Sequence, residues 1–201
     1  MGLNLARVSF EDWVEESVPR KNRPAFFEAL FKHVGKELDI ASWLEVDPEE
    51  EVPSPKVGSY TSYGIFVYCL KYLAEGDYEA ALDPDEDWEL KALAAFRKSL
   101  DPSSWELPAT THFTKTGASD AIFIPASFAT PFDFDVVTVA SKPAAMEVLQ
   151  RLAETLGFEL QSEYESEEAN DEWLPISTVK NIARTIAKYF GEEPQACVEY
   201  T

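Results

Sequence analysis

The chain is poor in the side chains from which most metal and nucleophilic sites are built. Among 201 residues it has two histidines, His33 and His112, and two cysteines, Cys69 and Cys197. Two cysteines are too few for a disulfide framework, and these four residues do not have the spacing of a zinc site. No glycine-rich phosphate loop follows a predicted strand. We therefore expect no metal and no cofactor, and we expect Cys69 to be a buried thiol in a reducing cytosol.

Long apolar runs are missing as well. Glu11 and Asp12 interrupt the region that would have to be apolar in a secretory signal, and no run approaches the length of a membrane span. The Met1-Gly2 start lacks the Ser or Thr that N-myristoylation needs at position six, where Ala6 stands. These absences predict a cytoplasmic protein without membrane contact.

Basic residues are scarce relative to acidic ones. The chain has 37 Asp and Glu against 17 Lys and Arg, a formal net charge of −20. Such a surface repels nucleic-acid phosphates and anionic membranes, and it attracts basic partners. The alternative is a solvated coat that keeps the protein soluble, for example in a salt-rich cytoplasm. A hydrophobic content of 45% with 13% aromatics excludes wholesale disorder.

Alternating and apolar segments predict a small sheet. We predict neighbouring strands at 112–116 (HFTKT) and 121–128 (AIFIPASF), with Gly117 in the turn between them. A third strand is predicted at 136–140 (VVTVA). A short first strand near 3–10 and an edge strand in the tail 195–201 complete a mostly antiparallel sheet.

Apolar residues at helical spacing predict about four to five amphipathic helices. Ser9 with Asp12 resembles a capping box before a brief helix, and Ser141 stands where the N-cap of a helix ending at Gly157 belongs. Further helices are predicted at 24–38, 61–76, 86–100 and 176–191. The expected inward positions are Phe27, Leu30, Phe31, Val34 and Leu38; Ile65, Phe66, Cys69, Leu70 and Leu73; Met146, Leu149, Leu152, Ala153 and Leu156; and Ile176, Val179, Ile182, Ala183, Ile186 and Phe190. Together with the sheet they predict a single α+β domain over residues 1–201.

Three acidic tracts interrupt these elements and predict loops at 45–56, 75–87 and 159–175. The tracts, at 45–51, 75–89 and 159–172, hold 20 of the 37 acidic residues. Each contains or adjoins an aromatic residue, and the aromatic residues concerned are Trp43, Tyr78, Trp88, Tyr164 and Trp173. Aromatic side chains anchor interfaces, while carboxylates beside them steer and pair with a basic partner. The alternative is that these aromatic residues simply pack into the protein core at the ends of their own helices or strands.

Two of the tracts are the predicted partner-binding surface. The first surface consists of Asp77, Tyr78, Glu79, Asp83, Asp85, Glu86 and Asp87. The second consists of Glu163, Tyr164, Glu165, Glu167 and Glu168.

Catalytic and calcium patterns are incomplete. His112 has Ser119 and Asp120 nearby, but the nucleophile elbow would need a second glycine where Ala121 stands. A Ser-Asp pair in a turn more often bonds its own backbone. Asp83, Asp85 and Asp87 have the spacing that starts an EF-hand loop. Its sixth and twelfth positions are Trp88 and Ala94 rather than Gly and Glu. We therefore expect no enzyme.

A loose pattern of short motifs runs through the chain. Its parts are the Met1-Gly2-Leu3 start, Val57-Gly58-Ser59-Tyr60 before a helix, His112 followed by Ser119-Asp120 and Ile124-Pro125-x-x-Phe128, and a Ser-capped helix with Leu149 and Leu156. The pattern resembles bacterial immunity proteins, the small cytosolic antidotes of polymorphic and contact-dependent toxins. It departs from them where Ala121 and Ile122 replace a usual Cys and Gly, and where Ile124 replaces an aromatic before Pro125. The resemblance implies a non-catalytic α+β protein that binds and blocks a cognate toxin domain, and the acidic charge predicts that this partner is basic. We expect a monomer or a homodimer.

Two other classes remain open at this point. A nucleic-acid mimic acting against host defence would share the acidic charge but would bind many DNA-binding proteins. A small enzyme or small-molecule binder would need a deep pocket where His112, Ser119 or paired acids converge.

Overall fold

A six-stranded sheet organises the part of the chain that the structure, a computed structural model, describes. The described residues are 2–35, 38–43, 54–75, 111–114, 120–161 and 175–200. In chain order the elements are β1 (Gly2–Val8), α1 (Phe10–Ser17), α2 (Arg23–Val34), a 3₁₀ turn (Ile40–Ser42), β2 (Lys56–Ser59), α3 (Tyr60–Glu75), α4 (Thr111–Thr114), β3 (Asp120–Ile124), β4 (Phe132–Phe134), β5 (Val137–Ser141), α5 (Lys142–Leu156), α6 (Pro175–Glu192) and β6 (Cys197–Tyr200).

The strand order across the sheet is β2-β1-β6-β3-β5-β4. Strands β3 and β5 pair in parallel, and the other four neighbouring pairs are antiparallel. The predicted α+β class is therefore confirmed, but the sheet is mixed where a mostly antiparallel one was expected.

Each face of the sheet is covered by helices. Helices α3, α5 and α6 pack on one face, where Leu5, Phe123 and Val198 point into a core that also holds Phe66 and Phe190. Helices α1 and α2 cover the other face. The side chains of that second core include Phe10, Trp13, Phe26, Leu30, Ile122, Ile124, Val137, Val139 and Cys197. Because successive strand residues alternate between faces, both sides of β3 are apolar.

The predicted helix ends are confirmed where capping residues mark them. Ser141 Oγ accepts the Ala144 N–H at 3.1 Å and begins α5, with Pro143 in the first turn. Gly157 ends this helix in the left-handed conformation, at φ 67°, which glycine adopts without a side-chain penalty. Ser9 caps α1 through a longer contact of 3.5 Å with the Asp12 N–H.

The structure corrects several details of the predicted elements. The predicted strand 121–128 ends at Ile124 as β3, directly before Pro125. His112, Phe113 and Thr114 of the predicted strand HFTKT lie instead in the short helix α4. The tail strand is not at an edge, since β6 lies between β1 and β3. In α2 the buried aromatic is Phe26, while the predicted Phe27 is only partly buried.

The inward face of α6 is as predicted at Val179, Ile182, Ala183, Ile186 and Phe190, all of which are buried. The predicted helix at 86–100 lies outside the described residues, as does nearly all of the three acidic tracts. A single domain over the whole chain stays a prediction.

Candidate functional site

The predicted partner-binding residues lie outside the described part of the chain. Asp77, Tyr78, Glu79, Asp83, Asp85, Glu86 and Asp87 fall in 76–110, and Glu163, Tyr164, Glu165, Glu167 and Glu168 fall in 162–174. Both segments are bounded by described residues on each side: α3 and α4 flank the first, and residues 157–161 and α6 flank the second. Both predicted surfaces therefore stay predictions.

Helix α1 carries the densest acidic face among the described residues. Glu11, Asp12, Glu15 and Glu16 are exposed on it, while Trp13 and Val14 are buried against the sheet. Arg23 donates to the Glu15 carboxylate at 3.3 Å and to the Glu15 carbonyl at 2.9 Å. Arg23 is the last residue of the basic run Arg20-Lys21-Asn22-Arg23, and its pairing with a local carboxylate is a structural use of that charge.

His112 is a buried structural group. The Ser141 N–H donates to its Nδ1 at 3.0 Å, so the ring proton is on Nε2, which donates to the Ala129 carbonyl at 3.3 Å. Burial lowers the pKa of His112 to about 4. Both ring nitrogens are thus occupied by the backbone, and the ring has no free nitrogen for a nucleophile. Of the two residues that the sequence places near His112, Ser119 lies outside the described residues and Asp120 begins β3.

Lys142 has a strongly shifted pKa that the sequence pattern did not predict. Its side chain is only 3% exposed, and Nζ donates to the Glu193 carbonyl at 2.6 Å and to the Ala196 carbonyl at 2.9 Å. Burial lowers its pKa to about 8, although the neighbouring Cys197 opposes the shift. An amine with such a pKa can serve as a nucleophile or base, but here it is enclosed and bound to the turn before β6. The only sequence signal was a lysine placed directly between a buried strand and a helix.

Arg7 also binds this turn through the Glu193 side chain, and it lies over the Tyr189 ring of α6. Arg7 forms ion pairs with Glu192 at 3.2 Å and Glu193 at 3.4 Å, and its guanidinium lies 5.1 Å from the centre of the Tyr189 ring. Burial raises the pKa of Tyr189, while the positive charge of Arg7 opposes the shift. With Lys142 these residues place two cations at the carboxyl end of α6, where the helix dipole favours positive charge. The arrangement stabilises a helix end.

The thiols are inert in this environment. Cys69 has no exposed surface and Cys197 is 1% exposed, so the predicted burial of Cys69 is confirmed. Burial raises the pKa of both thiols, that of Cys197 to about 12. A protonated, enclosed thiol is neither a nucleophile nor a metal ligand.

No metal-binding cluster is present among the described residues, since no group of three His, Cys, Asp or Glu side chains there could hold an ion. The three aspartates of the incomplete EF-hand pattern lie outside those residues. None of the described helices is both long and apolar enough to cross a bilayer.

Comparison of the chain with protein-family models, with curated proteins and with solved structures finds no match. The function must therefore be argued from the chemistry of the chain itself.

Proposed function

We propose that this protein is a non-catalytic acidic inhibitor that binds a basic protein partner, a cognate toxin domain with a cationic active-site cleft. The observation that carries the proposal is the concentration of 20 of 37 acidic residues in three short tracts, each with an aromatic residue inside or beside it. The resemblance to immunity proteins supports the same class.

Charge and aromatic side chains would have different roles in such a complex. Carboxylates of the two predicted surfaces would occupy the pockets that the toxin uses for phosphate groups. Tyr78 or Tyr164 would fill a central depression and exclude water from it. Association would be fast at low salt and slower as salt screens the attraction.

The described ionisable groups support a non-catalytic role. His112, Lys142 and Cys197 have pKa values far from their ordinary range, and all three are bound to the backbone or enclosed in the core. Active sites use such perturbed groups where a substrate can reach them. These three groups are enclosed, so their shifts are explained by folding.

A matched pair of charge-reversal variants tests the proposal. The site variant carries Asp83→Lys, Asp85→Lys and Asp87→Lys, and the control variant carries Glu16→Lys, Glu28→Lys and Glu147→Lys. Both change the net charge by the same amount, and the three control residues are exposed on α1, α2 and α5. A second site variant carries Glu165→Lys, Glu167→Lys and Glu168→Lys.

We expect the wild type and the control to capture the same basic protein from the native host, and we expect at least one site variant to lose it. Capture by all three variants at equal strength would reject both surfaces.

The nucleic-acid mimic is the second candidate, and the same total charge favours it. A mimic would be captured by many unrelated DNA-binding proteins, and duplex DNA would compete with it for each of them. An inhibitor of one toxin would bind a single partner from the same panel. The number of proteins captured from a panel of DNA-binding proteins therefore distinguishes a mimic from an inhibitor of one toxin.

A further inference from the structure

The two histidines of the chain hold the same loop. His112 Nε2 donates to the Ala129 carbonyl at 3.3 Å, and His33 Nε2 lies 2.8 Å from the next carbonyl, that of Thr130. Both rings also pack edge-on against Phe128, with ring centres 5.4 Å away for His112 and 6.0 Å away for His33. Two rings from α4 and α2 thus hold consecutive carbonyls and the aromatic side chain that precedes them.

His112 links this loop to the start of α5. Its Nδ1 accepts the Ser141 N–H at 3.0 Å, and Ser141 in turn caps α5 through the Ala144 N–H. An imidazolium has two N–H donors and no acceptor. Protonation of His112 would therefore place two donors against each other and remove the bond between the ring and the β5–α5 junction.

Burial opposes a positive charge on the His112 ring. The backbone carbonyls of Ala129 and Phe128 raise the pKa of the ring, but burial outweighs them. The ring has no exposed surface, and burial lowers its pKa to about 4. The charge that acts on the ring comes from His33, and it lowers the pKa further. The other titratable groups on the described side chains of α3, α5 and β4 are Tyr63, Cys69, Lys142, Glu147, Arg151, Glu154 and Asp133, and on α2 they are Arg23, Glu28 and Lys32. Among them, Lys142 is held by two carbonyls, and Asp133 accepts a hydrogen bond from Thr138.

We propose that His112 and His33 form a pH-sensitive clamp on residues 125–131. With a neutral His112 ring the clamp holds this loop against the β5–α5 junction. Protonation of His112 releases the loop, exposes Phe128 and detaches the backbone of Ser141.

The sign of the pH response follows from the lowered pKa. In the released state His112 titrates near its ordinary value of 6.5, and in the closed state it titrates near 4. The clamp is therefore fully closed above pH 6.5 and weakens progressively as the pH falls toward 4. At pH 5 the equilibrium constant for opening should be about 30-fold larger than at high pH.

Nuclear magnetic resonance on the full chain tests the clamp directly. At about pH 7 the His112 ring should have its proton on Nε2 and should titrate well below the pH range of an exposed histidine. Amide exchange, corrected for the intrinsic rate, should then show the Ser141 amide losing about 20-fold protection between about pH 7 and about pH 5. The Val198 amide in the central strand β6 should stay at least about tenfold better protected than Ser141 at both pH values.

Two variants separate the clamp from a general effect of acid. His112→Asn keeps a side-chain acceptor near Ser141 but cannot titrate, so the Ser141 protection should change less than about threefold over this pH range. His33→Gln keeps a donor for the Thr130 carbonyl and should retain the pH response. If His112→Asn does not fold, the ring titration and the exchange of the wild type still decide the question.

Three results would overturn the clamp. They are a His112 ring that titrates near 6.5, a proton on Nδ1 at neutral pH, and equal protection of Ser141 and Val198 at every pH.

Discussion

At the scale of single residues, the polar groups with the most unusual environments serve the fold. His112 joins three backbone segments, and Lys142 holds the turn before β6 through two carbonyls. A buried polar group is tolerated when its hydrogen bonds are satisfied, and losing a partner costs about 1–3 kcal/mol. Substitution of His112 or Lys142 should therefore act first by lowering the free energy of unfolding.

The enclosed thiols give a prediction about reactivity. Because Cys69 and Cys197 are buried and their pKa values are raised, neither should react with a thiol reagent in the native protein near pH 8. Both should react quickly once denaturant unfolds the chain. Colorimetric thiol titration with and without denaturant measures this, and rapid labelling of either cysteine in the native state would contradict the described packing.

The sequence pattern predicts some of the buried residues and misses others. Phe26, Phe27, Leu30 and Phe31 make α2 apolar on more than one side, so spacing alone could not decide which aromatic is buried. The sheet decides it, because Phe26 packs between Phe10 and Phe132. Lys142 could not be identified from sequence either, because its acceptors are carbonyls about fifty residues away.

At the scale of secondary structure, two serine N-caps differ in their surroundings. The Ser141 contact with the Ala144 N–H is buried and measures 3.1 Å, while the Ser9 contact with the Asp12 N–H is exposed and measures 3.5 Å. Ser141→Ala should lower the free energy of unfolding by about 1–2 kcal/mol, and Ser9→Ala by about 0.5 kcal/mol. Denaturant unfolding of both variants checks this, and an equal loss would mean that burial of the cap does not matter.

The position of β6 gives a second prediction at this scale. Since β6 pairs with both β1 and β3 and buries Cys197 and Val198, its removal divides the sheet. Deletion of residues 197–201 should abolish cooperative unfolding, because the loss is comparable to a total stability of about 5–15 kcal/mol. Deletion of Thr201 alone is the control and should change little. A shortened chain that still unfolds in one sharp transition would contradict the central placement.

Helices and strands with strong local sequence signals could be predicted, but the pairing and order of the strands could not. Ser141 and Gly157 mark the ends of α5, and the run 120–124 is apolar enough to identify β3. HFTKT alternates like a strand over a few residues, yet the contacts of His112 and Phe113 with distant segments favour a turn of helix. Strand order depends on contacts between residues far apart in sequence, which local patterns do not contain.

At the scale of the whole molecule, the buried ionisable groups and the acidic tracts proposed for recognition belong to different parts of the chain. The buried histidine, lysine and thiols lie among the sheet and its helices. The acidic tracts lie almost entirely outside the described elements, so the predicted contact residues could be derived from composition but not located in the fold. Their assignment depends on charge and on the aromatic residues beside them.

The most direct test of the central proposal is the association rate with the captured basic partner as a function of salt. For the wild type, the rate should fall at least about tenfold between about 50 and about 500 mM salt, because screening removes the steering. At low salt the variant carrying Asp83→Lys, Asp85→Lys and Asp87→Lys, or its counterpart at Glu165, Glu167 and Glu168, should associate at least about tenfold more slowly. The control carrying Glu16→Lys, Glu28→Lys and Glu147→Lys should stay within about threefold of the wild type. Equal association rates for both site variants and the control would contradict recognition through the acidic tracts.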